Sequence, residues 1–207
     1  MFAKFLNLEP EKQDRIINAA AKEFAEKGFK NASTNEIVKA ADISKGLLFH
    51  YFSNKKELYL FLFDHLMEML MESIHSHVDW KDKDIFVRLR HIAGLKMALF
   101  LKHPEMFNFI KSVNKEDAGE VKSDIDRRIK EFKDKGYKDL FGDIDLSHFR
   151  EGTDIPKTVQ IILWTMEGFA YQQQEKALKS NLNEMIMADI FKEMDDYIEL
   201  LKMSFYK

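Results

Sequence analysis

The sequence predicts an all-α protein: a nine-helix, two-domain fold in which an N-terminal helix-turn-helix domain of three helices precedes a C-terminal helical bundle. Apolar residues recur at helical spacing, as Ile16, Ala20 and Phe24 do near the N-terminus. Capping residues stand before several of these segments, and no strand pattern, internal repeat or low-complexity tract is evident. We place the boundary between the two domains after residue 54, so that they span residues 1–54 and 55–207.

The first two helices have clear start and stop signals. Proline suits the first helical position, so the first helix begins at Pro10, and Gly28 ends it. Ser33 and Glu36 have the spacing of a capping box and open a second helix, Thr34–Ala41. In a capping box the Ser hydroxyl accepts a free backbone N–H, and the Glu side chain returns to the N–H of the cap residue.

A tight turn separates the second helix from the third. Asp42 stands where the chain must reverse, and Asp tolerates a left-handed conformation better than most residues. Ser44 is a good N-cap for the third helix, Lys45–Phe52. Asn54 and Glu57 repeat the capping-box spacing and open a fourth helix. The run therefore predicts a helix-turn-helix.

The third helix presents a face that could contact DNA. Leu48 and Phe52 lie four residues apart on one side, which we assign to the core. The opposite side then shows Lys45, Gly46, Leu47, Phe49, His50 and Tyr51. Free N–H groups at the start of a helix also attract phosphate. We infer a recognition helix for the major groove of double-stranded DNA. The alternative is an ordinary three-helix packing unit whose polar side chains are only solvated.

A longer pattern surrounds this motif. Its blocks are Arg15-Ile-Ile-Asn-Ala-Ala, Phe24-Ala-Glu-Lys-Gly-Phe29, Ser33-Thr34, Glu36-Ile37, Ala40-Ala41, Ile43-Ser-Lys-Gly46, Phe49-His-Tyr-Phe52, Lys55 and Glu57-Leu58. In this order and register, the stretch from residue 15 to residue 65 resembles the DNA-binding domain of the tetracycline-repressor (TetR) family of bacterial regulators. The resemblance covers about the first quarter of the chain.

The resemblance implies roles for individual residues. Thr34 corresponds to a phosphate contact at the start of the second helix, and Lys55 to one at the start of the fourth. The tip and the groove-facing side of the recognition helix correspond to Ser44, Lys45, Gly46, Phe49, His50 and Tyr51. Three residues depart from the family pattern. Asp42 replaces a usual Gly, Phe49 replaces a common Tyr, and Leu47 replaces a small or polar residue, which suggests contact with a thymine methyl.

Composition and charge suit such a regulator. Apolar residues make up 45% of the chain, enough for a real core, and the absence of Cys excludes disulfides and thiolate metal sites. We expect a soluble cytoplasmic protein with no membrane partner, because there is neither a membrane-length apolar run nor a signal-peptide layout. The net charge is −3, but residues 1–56 carry ten Lys and Arg against seven Asp and Glu. This local excess favours phosphate binding, although a solvated surface would also allow it.

The rest of the chain also has helical spacing. Further helices are expected over about 55–77, 85–102, 105–114, 119–135 and 156–178, and a last helix runs from its cap at Asn181 to about residue 205. Asn181 and Glu184 form the capping pair of the last of these. Residues 136–153 are rich in Gly and Asp and predict a long loop with one short turn.

The last two helices carry a wide apolar band. Its members are Val159, Ile162, Leu163, Met166, Phe169, Ala170, Met185, Ile190, Met194, Ile198, Leu201 and Phe205. Because covering one domain needs a narrower stripe, we predict a homodimer in which these helices pair with their copies. The alternative is a self-contained monomer core. A dimer would place two recognition helices about 34 Å apart, as a palindrome requires.

A ligand cavity is expected in the C-terminal domain. Candidate lining residues are Met67, Met71, Met97, Phe100, Phe107, Ile110, Trp164 and Phe169. Methionine fills irregular space and is common where a surface must adapt, so a small apolar or amphipathic ligand is the hypothesis. The resemblance favours it, since family members bind small inducers in this domain. The alternative is a plain core.

Enzyme signals are weak. Glu72-x-x-His75 has the helical spacing of di-iron bundles, with Glu68 one turn earlier, but no second such pair exists. Neither a glycine-rich phosphate loop nor a nucleophile elbow is present. We therefore expect no catalytic residues, no metal and no cofactor. The leading interpretation is a homodimeric, ligand-responsive repressor that reads a palindromic operator. A ligand-binding protein with a vestigial DNA head and a helical-bundle enzyme stay open.

Overall fold

The computed structural model describes residues 2–177 and 184–207, and there the chain is all-α. Ten α-helices are formed: α1 Ala3–Leu6, α2 Pro10–Asn31, α3 Thr34–Ala40, α4 Lys45–Tyr51, α5 Lys55–His77, α6 Ile85–Lys102, α7 Pro104–Val113, α8 Lys122–Phe141, α9 Ile155–Ala177 and α10 Glu184–Phe205. A 3-10 helix spans Leu146–His148. The described residues contain no β-strand, only an isolated bridge between Phe149 and Tyr206. The all-α prediction is confirmed, with one helix more than expected because Ala3–Leu6 is helical.

Most helix bounds agree with the sequence patterns. Helical geometry breaks at Gly28, where φ is 67° and ψ is 172°, as expected for the end of the first long helix. The predicted bounds of α8 were wrong, because this helix starts later and continues to Phe141. Its last turns are held by buried Leu140 and by a ring contact of 4.6 Å between Tyr137 and Phe141. The predicted cap at Asn181 lies outside the described residues.

The chain divides into two compact units. The first comprises residues up to 80 together with 91–142, and the second comprises 81–90 together with 143–207. In the first unit α7 packs against α2. The Tyr59 ring on α5 lies 4.9 Å from Phe24 on α2 and 5.2 Å from Phe109 on α7. All three rings are fully buried, so α2, α5 and α7 share one core.

The second unit is built around α9 and α10. Their inward faces bury Val159, Ile162, Phe169, Ile190, Met194, Ile198 and Leu201, so this part of the apolar band that the sequence assigned to a subunit interface lies in the core of the subunit itself. The Gln173 amide donates to Glu193 over 2.9 Å and joins the two helices. Buried Arg88 donates to Asp143 over 2.7 Å, which holds the pKa of that carboxyl below its usual range.

None of the described helices combines the length and the apolar character that a membrane crossing requires.

Candidate nucleic-acid interface

Helix α3 forms only one of the two hydrogen bonds that the predicted capping box of Ser33 and Glu36 would have. The Glu36 N–H donates to Ser33 Oγ over 3.4 Å, so the serine caps the helix. The expected return bond from Glu36 is replaced, because the Ser33 N–H donates to Glu23 Oε1 over 2.8 Å. Glu23 lies on α2, and this hydrogen bond therefore connects the first two helices of the motif.

The turn between α3 and α4 is left-handed at one residue. Asp42 has φ of 53° and is the non-glycine residue with positive φ in the described chain. The next residue, Ile43, donates its N–H to the carbonyl of Val38 over 3.0 Å and closes the turn. Aspartate accepts this conformation at some cost in strain. The turn predicted from Asp42 is confirmed.

Helix α4 buries one side and exposes the other. Ser44 Oγ accepts the Leu47 N–H over 3.2 Å, which caps the helix as predicted. Leu48 and Phe52 are fully buried and hold α4 on the core. The opposite side exposes Lys45, Gly46, Phe49 and His50, with Leu47 and Tyr51 half-buried beside them. The predicted groove-facing set thus lies on the accessible side of α4, and its contact with DNA stays a prediction.

Gly46 has no role inside the molecule that would require glycine. Its φ is not positive, and a Cβ added there would meet no atom within 4 Å. Glycine costs up to about 1 kcal/mol in a helix relative to alanine. A missing side chain on an exposed helix tip allows the backbone of a partner, or a phosphate, to approach closely.

The two proposed phosphate contacts differ in their surroundings. Thr34, the first residue of α3, is half-exposed. Lys55 is engaged within the chain: its ammonium donates to the carbonyls of Lys30 and Ala32, at 3.1 Å each, and lies 4.8 Å from the centre of the Phe29 ring. A lysine ammonium has three donors, so one N–H of Lys55 is left for a phosphate.

A buried carboxylate lies beside the end of α2. Glu116, in the loop between α7 and α8, accepts the Phe29 N–H over 2.7 Å and the Ala118 N–H over 2.9 Å. The nearby Tyr59 hydroxyl is buried without a hydrogen-bond partner in the described residues. Burial, together with the charge of Glu116, raises the pKa of Tyr59 well above its usual range. Sequence patterns did not predict this group, because 87 residues separate Phe29 from Glu116.

The candidate ligand residues are only partly brought together. Met67 and Met71 on α5, with Phe63 and with Phe132 on α8, form the apolar lining of an open groove of about 450 Å³. Its polar lining residues are Asp64, Glu68, Glu72, His75, Arg128, Glu131 and Lys135. The remaining candidates lie elsewhere: half-buried Met97 and Ile110, the ring pair of Phe100 and Phe107 at 5.2 Å, buried Phe169, and Trp164, which is 64% exposed. Trp164 and Phe169 belong to the second unit.

The Glu-x-x-His motif lies on the surface of α5. His75 Nε2 is 2.8 Å from Asp139 Oδ2, so the imidazole is paired with a carboxylate of α8. Among residues 2–177 and 184–207, no group of three or more His, Asp or Glu side chains could hold a metal ion.

The comparisons with known proteins bear on this site. The capped pair α3 and α4, with a left-handed turn between them, is a helix-turn-helix motif. Residues 16–61 match the model of a family described as bacterial regulatory proteins, tetR family. The resemblance to the TetR family stated from the sequence is confirmed for this segment, and the matching family model is that of transcriptional regulators.

Relatives extend the comparison beyond the helix-turn-helix. A fatty acid metabolism regulator protein of Bacillus subtilis (strain 168) is 31% identical over 85 residues, which are 39% of this chain and 44% of that protein. The match thus spans less than half the length of this relative.

Two solved structures share the fold over nearly the whole chain. A TetR family transcriptional regulator from Chloroflexus aurantiacus has a TM-score of 0.62 at 18% identity, with 99% of this chain and 98% of that chain covered. The transcriptional regulator FadR from Bacillus subtilis, in complex with stearoyl-CoA, has a TM-score of 0.61 at 21% identity, with 91% and 96% covered.

Proposed function

We propose that this TetR-family regulator is a ligand-responsive repressor that binds a palindromic operator as a homodimer. One observation carries the proposal: the accessible side of α4 has a glycine, Gly46, whose missing side chain serves nothing inside the molecule. It lies next to Lys45 on a helix that begins at an accessible, capped end. The start of α4 is suited to contact a phosphate, and the exposed side chains that follow along the helix are suited to contact base edges.

The DNA contacts proposed here are those of the exposed side of the motif. Lys45, Ser44, Gly46 and Thr34 would contact the backbone of the duplex, together with the free N–H of Lys55. Leu47, Phe49, His50 and Tyr51 would contact bases. This division places the reading function in residues 1–54 and leaves ligand binding and dimerisation to residues 55–207. Because its DNA lies in the bacterial cytoplasm, the regulator would act there.

The outward faces of α9 and α10 support the homodimer. On α9, Ile161, Trp164 and Tyr171 are exposed at helical spacing, and exposed Gly168 lies on the same stripe. On α10, Leu200 is 59% exposed and Met203 is 72% exposed. The inward faces of both helices are already buried within the subunit. A second, outward apolar face of this width is typical of a subunit interface.

An amphipathic ligand with a long acyl chain is proposed as the effector. The B. subtilis relative is named a fatty acid metabolism regulator, and the FadR structure holds stearoyl-CoA. In this chain the groove between α5 and α8 offers Met67, Met71 and Phe132 to a hydrocarbon chain. Lys135 on the same groove offers positive charge to an anionic head group, whereas Arg128 is already paired with Asp64 over 2.8 Å.

Ligand and DNA are proposed to bind with opposing preference. A ligand that favours one spacing of the two recognition helices weakens binding to an operator that needs the other spacing. By linkage, the operator weakens ligand binding by the same factor.

A binding experiment tests the DNA contacts. Duplexes from the promoter region of the protein's own gene are titrated with wild type, Lys45→Ala and His50→Ala at several stated salt concentrations. Lys45→Ala should weaken binding to all sequences alike and lower the salt slope by about one. His50→Ala should also change the preferred sequence, because it contacts bases. Equal losses across all sequences for both variants would contradict the assignment.

A second experiment tests the effector. Stearoyl-CoA, free coenzyme A and stearate are added separately to the complex of wild type with its operator. Release by stearoyl-CoA alone supports an acyl thioester, and release by stearate as well supports the free acid. No effect of any of the three on DNA binding overturns the proposed ligand class. Ligand binding without operator binding would instead indicate a vestigial DNA head.

A further inference from the structure

A short helix outside the family motif packs against the recognition helix. The family model begins at residue 16, whereas α1 comprises Ala3–Leu6. Phe5, on α1, is fully buried. Its ring lies 5.0 Å from that of Phe52 and 6.0 Å from that of Tyr51. Both partners stand at the end of α4.

The same small helix also contacts α5. The Phe5 ring lies 5.2 Å from that of Phe61, and the Phe2 ring lies 4.6 Å from it. Phe61 and Phe52 are themselves 5.1 Å apart. The four phenylalanine rings therefore form one aromatic cluster, defined by Phe2, Phe5, Phe52 and Phe61, in which α1 touches both the end of α4 and the first turns of α5.

Hydrogen bonds hold α1 in this place. The Gln13 side-chain amide, on α2, donates to the carbonyl of Leu6 over 3.1 Å and to the carbonyl of Leu8 over 2.8 Å. These carbonyls end α1 and begin the turn to α2. A four-residue helix has no stability of its own, so its position depends on Gln13 and on the aromatic cluster.

Helix α4 depends on such outside contacts for its orientation. It is seven residues long, too short to be stable alone. One side is open to solvent, and Leu48 and Phe52 are its buried anchors. Phe52 is also a member of the aromatic cluster. The tilt of the exposed side of α4, and the position of the Tyr51 ring on it, therefore depend on where Phe5 lies.

We propose that α1 is a positioning element for DNA reading, in which Phe5 sets the tilt of α4 and the place of Tyr51. This inference rests on the proposed function, since it assigns a determinant of operator selectivity. Base readout requires side chains held within fractions of an ångström, whereas phosphate attraction does not. Loss of Phe5 therefore reduces discrimination between sequences more than it reduces binding to any duplex.

The test compares full-length wild type with Phe5→Ala, Phe5→Leu and Leu6→Ala. Leu6 is on the same helix but 51% exposed, so Leu6→Ala is the matched control. Affinities for the operator and for a scrambled duplex of equal length are measured by fluorescence anisotropy at one salt concentration, well below each variant's unfolding temperature. Phe5→Ala should lower the ratio of operator to scrambled affinity about tenfold, roughly one base contact. Phe5→Leu should lie between it and wild type, and Leu6→Ala should match wild type.

The outcomes separate the possible failures. Wild type with no preference for the operator defeats the proposed function, whatever the variants do. Wild type with a preference that Phe5→Ala keeps, even with a lower unfolding temperature, overturns the positioning role and leaves α1 as part of the core only. If Phe5→Ala does not fold, Gln13→Ala decides the question: it removes the two hydrogen bonds to α1, and the ratio should fall in the same direction by a smaller factor.

Discussion

The glycine at position 46 lowers the stability of α4 but is proposed to favour DNA binding. Within the subunit a methyl group at this position meets nothing within 4 Å, and alanine is the better helix former. Against a duplex, the same methyl group would stand between the helix backbone and its partner. The free energy of unfolding and the DNA affinity should therefore change in opposite directions when Gly46 is replaced by alanine.

The corresponding prediction concerns Gly46→Ala. The free energy of unfolding should rise, by at most about 1 kcal/mol, because alanine loses less backbone entropy in a helix. Operator affinity should fall on the order of tenfold, which corresponds to about 1.4 kcal/mol. Denaturant unfolding and anisotropy titrations measure the two effects.

A second helical glycine is the control. Gly94 lies within α6, and a Cβ there also meets nothing within 4 Å. Gly94→Ala should stabilise the protein without changing operator affinity. If Gly46→Ala binds the operator as tightly as wild type does, the tip of α4 is not in close contact with DNA.

Local hydrogen bonds of single residues could be predicted from the sequence, whereas their tertiary hydrogen bonds could not. The caps at Ser33, Ser44 and Asn54 could be predicted, because each depends on a donor three residues away. Glu23 replaced Glu36 as the acceptor of the Ser33 N–H, because tertiary packing brought a competing carboxylate from another helix. The internal bonds of Lys55 have the same origin, since the accepting carbonyls lie 23 and 25 residues before it.

At the scale of elements, α5 carries a half-buried titratable group, His65. The His65 ring stacks on Phe61, with centroids 5.5 Å apart and planes inclined by 15°. Burial lowers the pKa of His65 below its usual 6.5, and the carboxylates of Glu68 and Asp14 oppose this only in part. The neutral imidazole is therefore the form that the folded helix favours.

Stability should depend on pH accordingly. The unfolded chain binds a proton at His65 below about pH 6.5, where the folded chain binds less, so acid favours unfolding. The contribution of His65 to the free energy of unfolding should be constant well above this pH and decrease as the pH falls from 6.5 towards the lower folded pKa. Denaturant unfolding of wild type and His65→Gln at a series of pH values between 7.5 and 5 measures it, and the variant should show a weaker decrease.

The carboxyl groups with lowered pKa values should not contribute to the pH dependence assigned to His65. Asp124 is bonded to Lys56, Asp143 to Arg88 and Asp145 to the Ser147 hydroxyl and N–H, and each carboxyl has a pKa below 3.8, outside the window. His91→Gln, at an exposed position of α6, serves as the control. An unchanged pH dependence in His65→Gln would contradict the assignment to His65.

Elements were predictable where apolar periodicity and caps agree. Helices α2 to α7 begin within about one residue of the expected positions. The end of α8 was missed because Gly136 and the acidic residues after it resemble a loop, while the Tyr137 and Phe141 rings continue the helix through packing. Helix α1 was missed because four residues are too few for a periodic signal, and its stability comes from the distant Phe52 and Phe61.

For the whole molecule, the outward apolar faces of α9 and α10 lead to the prediction of oligomeric state. Leu200→Lys places a charge on the proposed interface and should convert a dimer into a monomer. Operator affinity should fall on the order of 100-fold, because two half-sites are no longer bound jointly. Analytical ultracentrifugation and anisotropy titrations measure the two effects.

An apolar residue exposed elsewhere provides the comparison. Val87 on α6 is 43% exposed, and Val87→Lys should remain dimeric with unchanged operator affinity. A wild type that sediments as a monomer, or a Leu200→Lys variant that stays dimeric, would rule out this interface.

The functional boundary proposed at residue 54 does not coincide with the division of the chain into two compact units. The residues proposed to contact DNA could be predicted from the sequence, because the helix-turn-helix motif is local. The packing of α7 on α2 could not be predicted, because the rings of Phe24 and Phe109 that join these helices are 85 residues apart in the sequence. Non-local contacts of this kind have no signature in a single sequence.

The hydrogen bond from Phe29 to Glu116 bears on how this regulator could be engineered. A chimera that grafts residues 1–54 onto another regulator's body would cut away the acceptor of a buried N–H and uncover the apolar flank of α2. Residues 1–54 are therefore not expected to keep their stability when they are transferred alone. A chimera that preserves the contacts of α2 must also include α7 and the following loop as far as Ala118 from this protein.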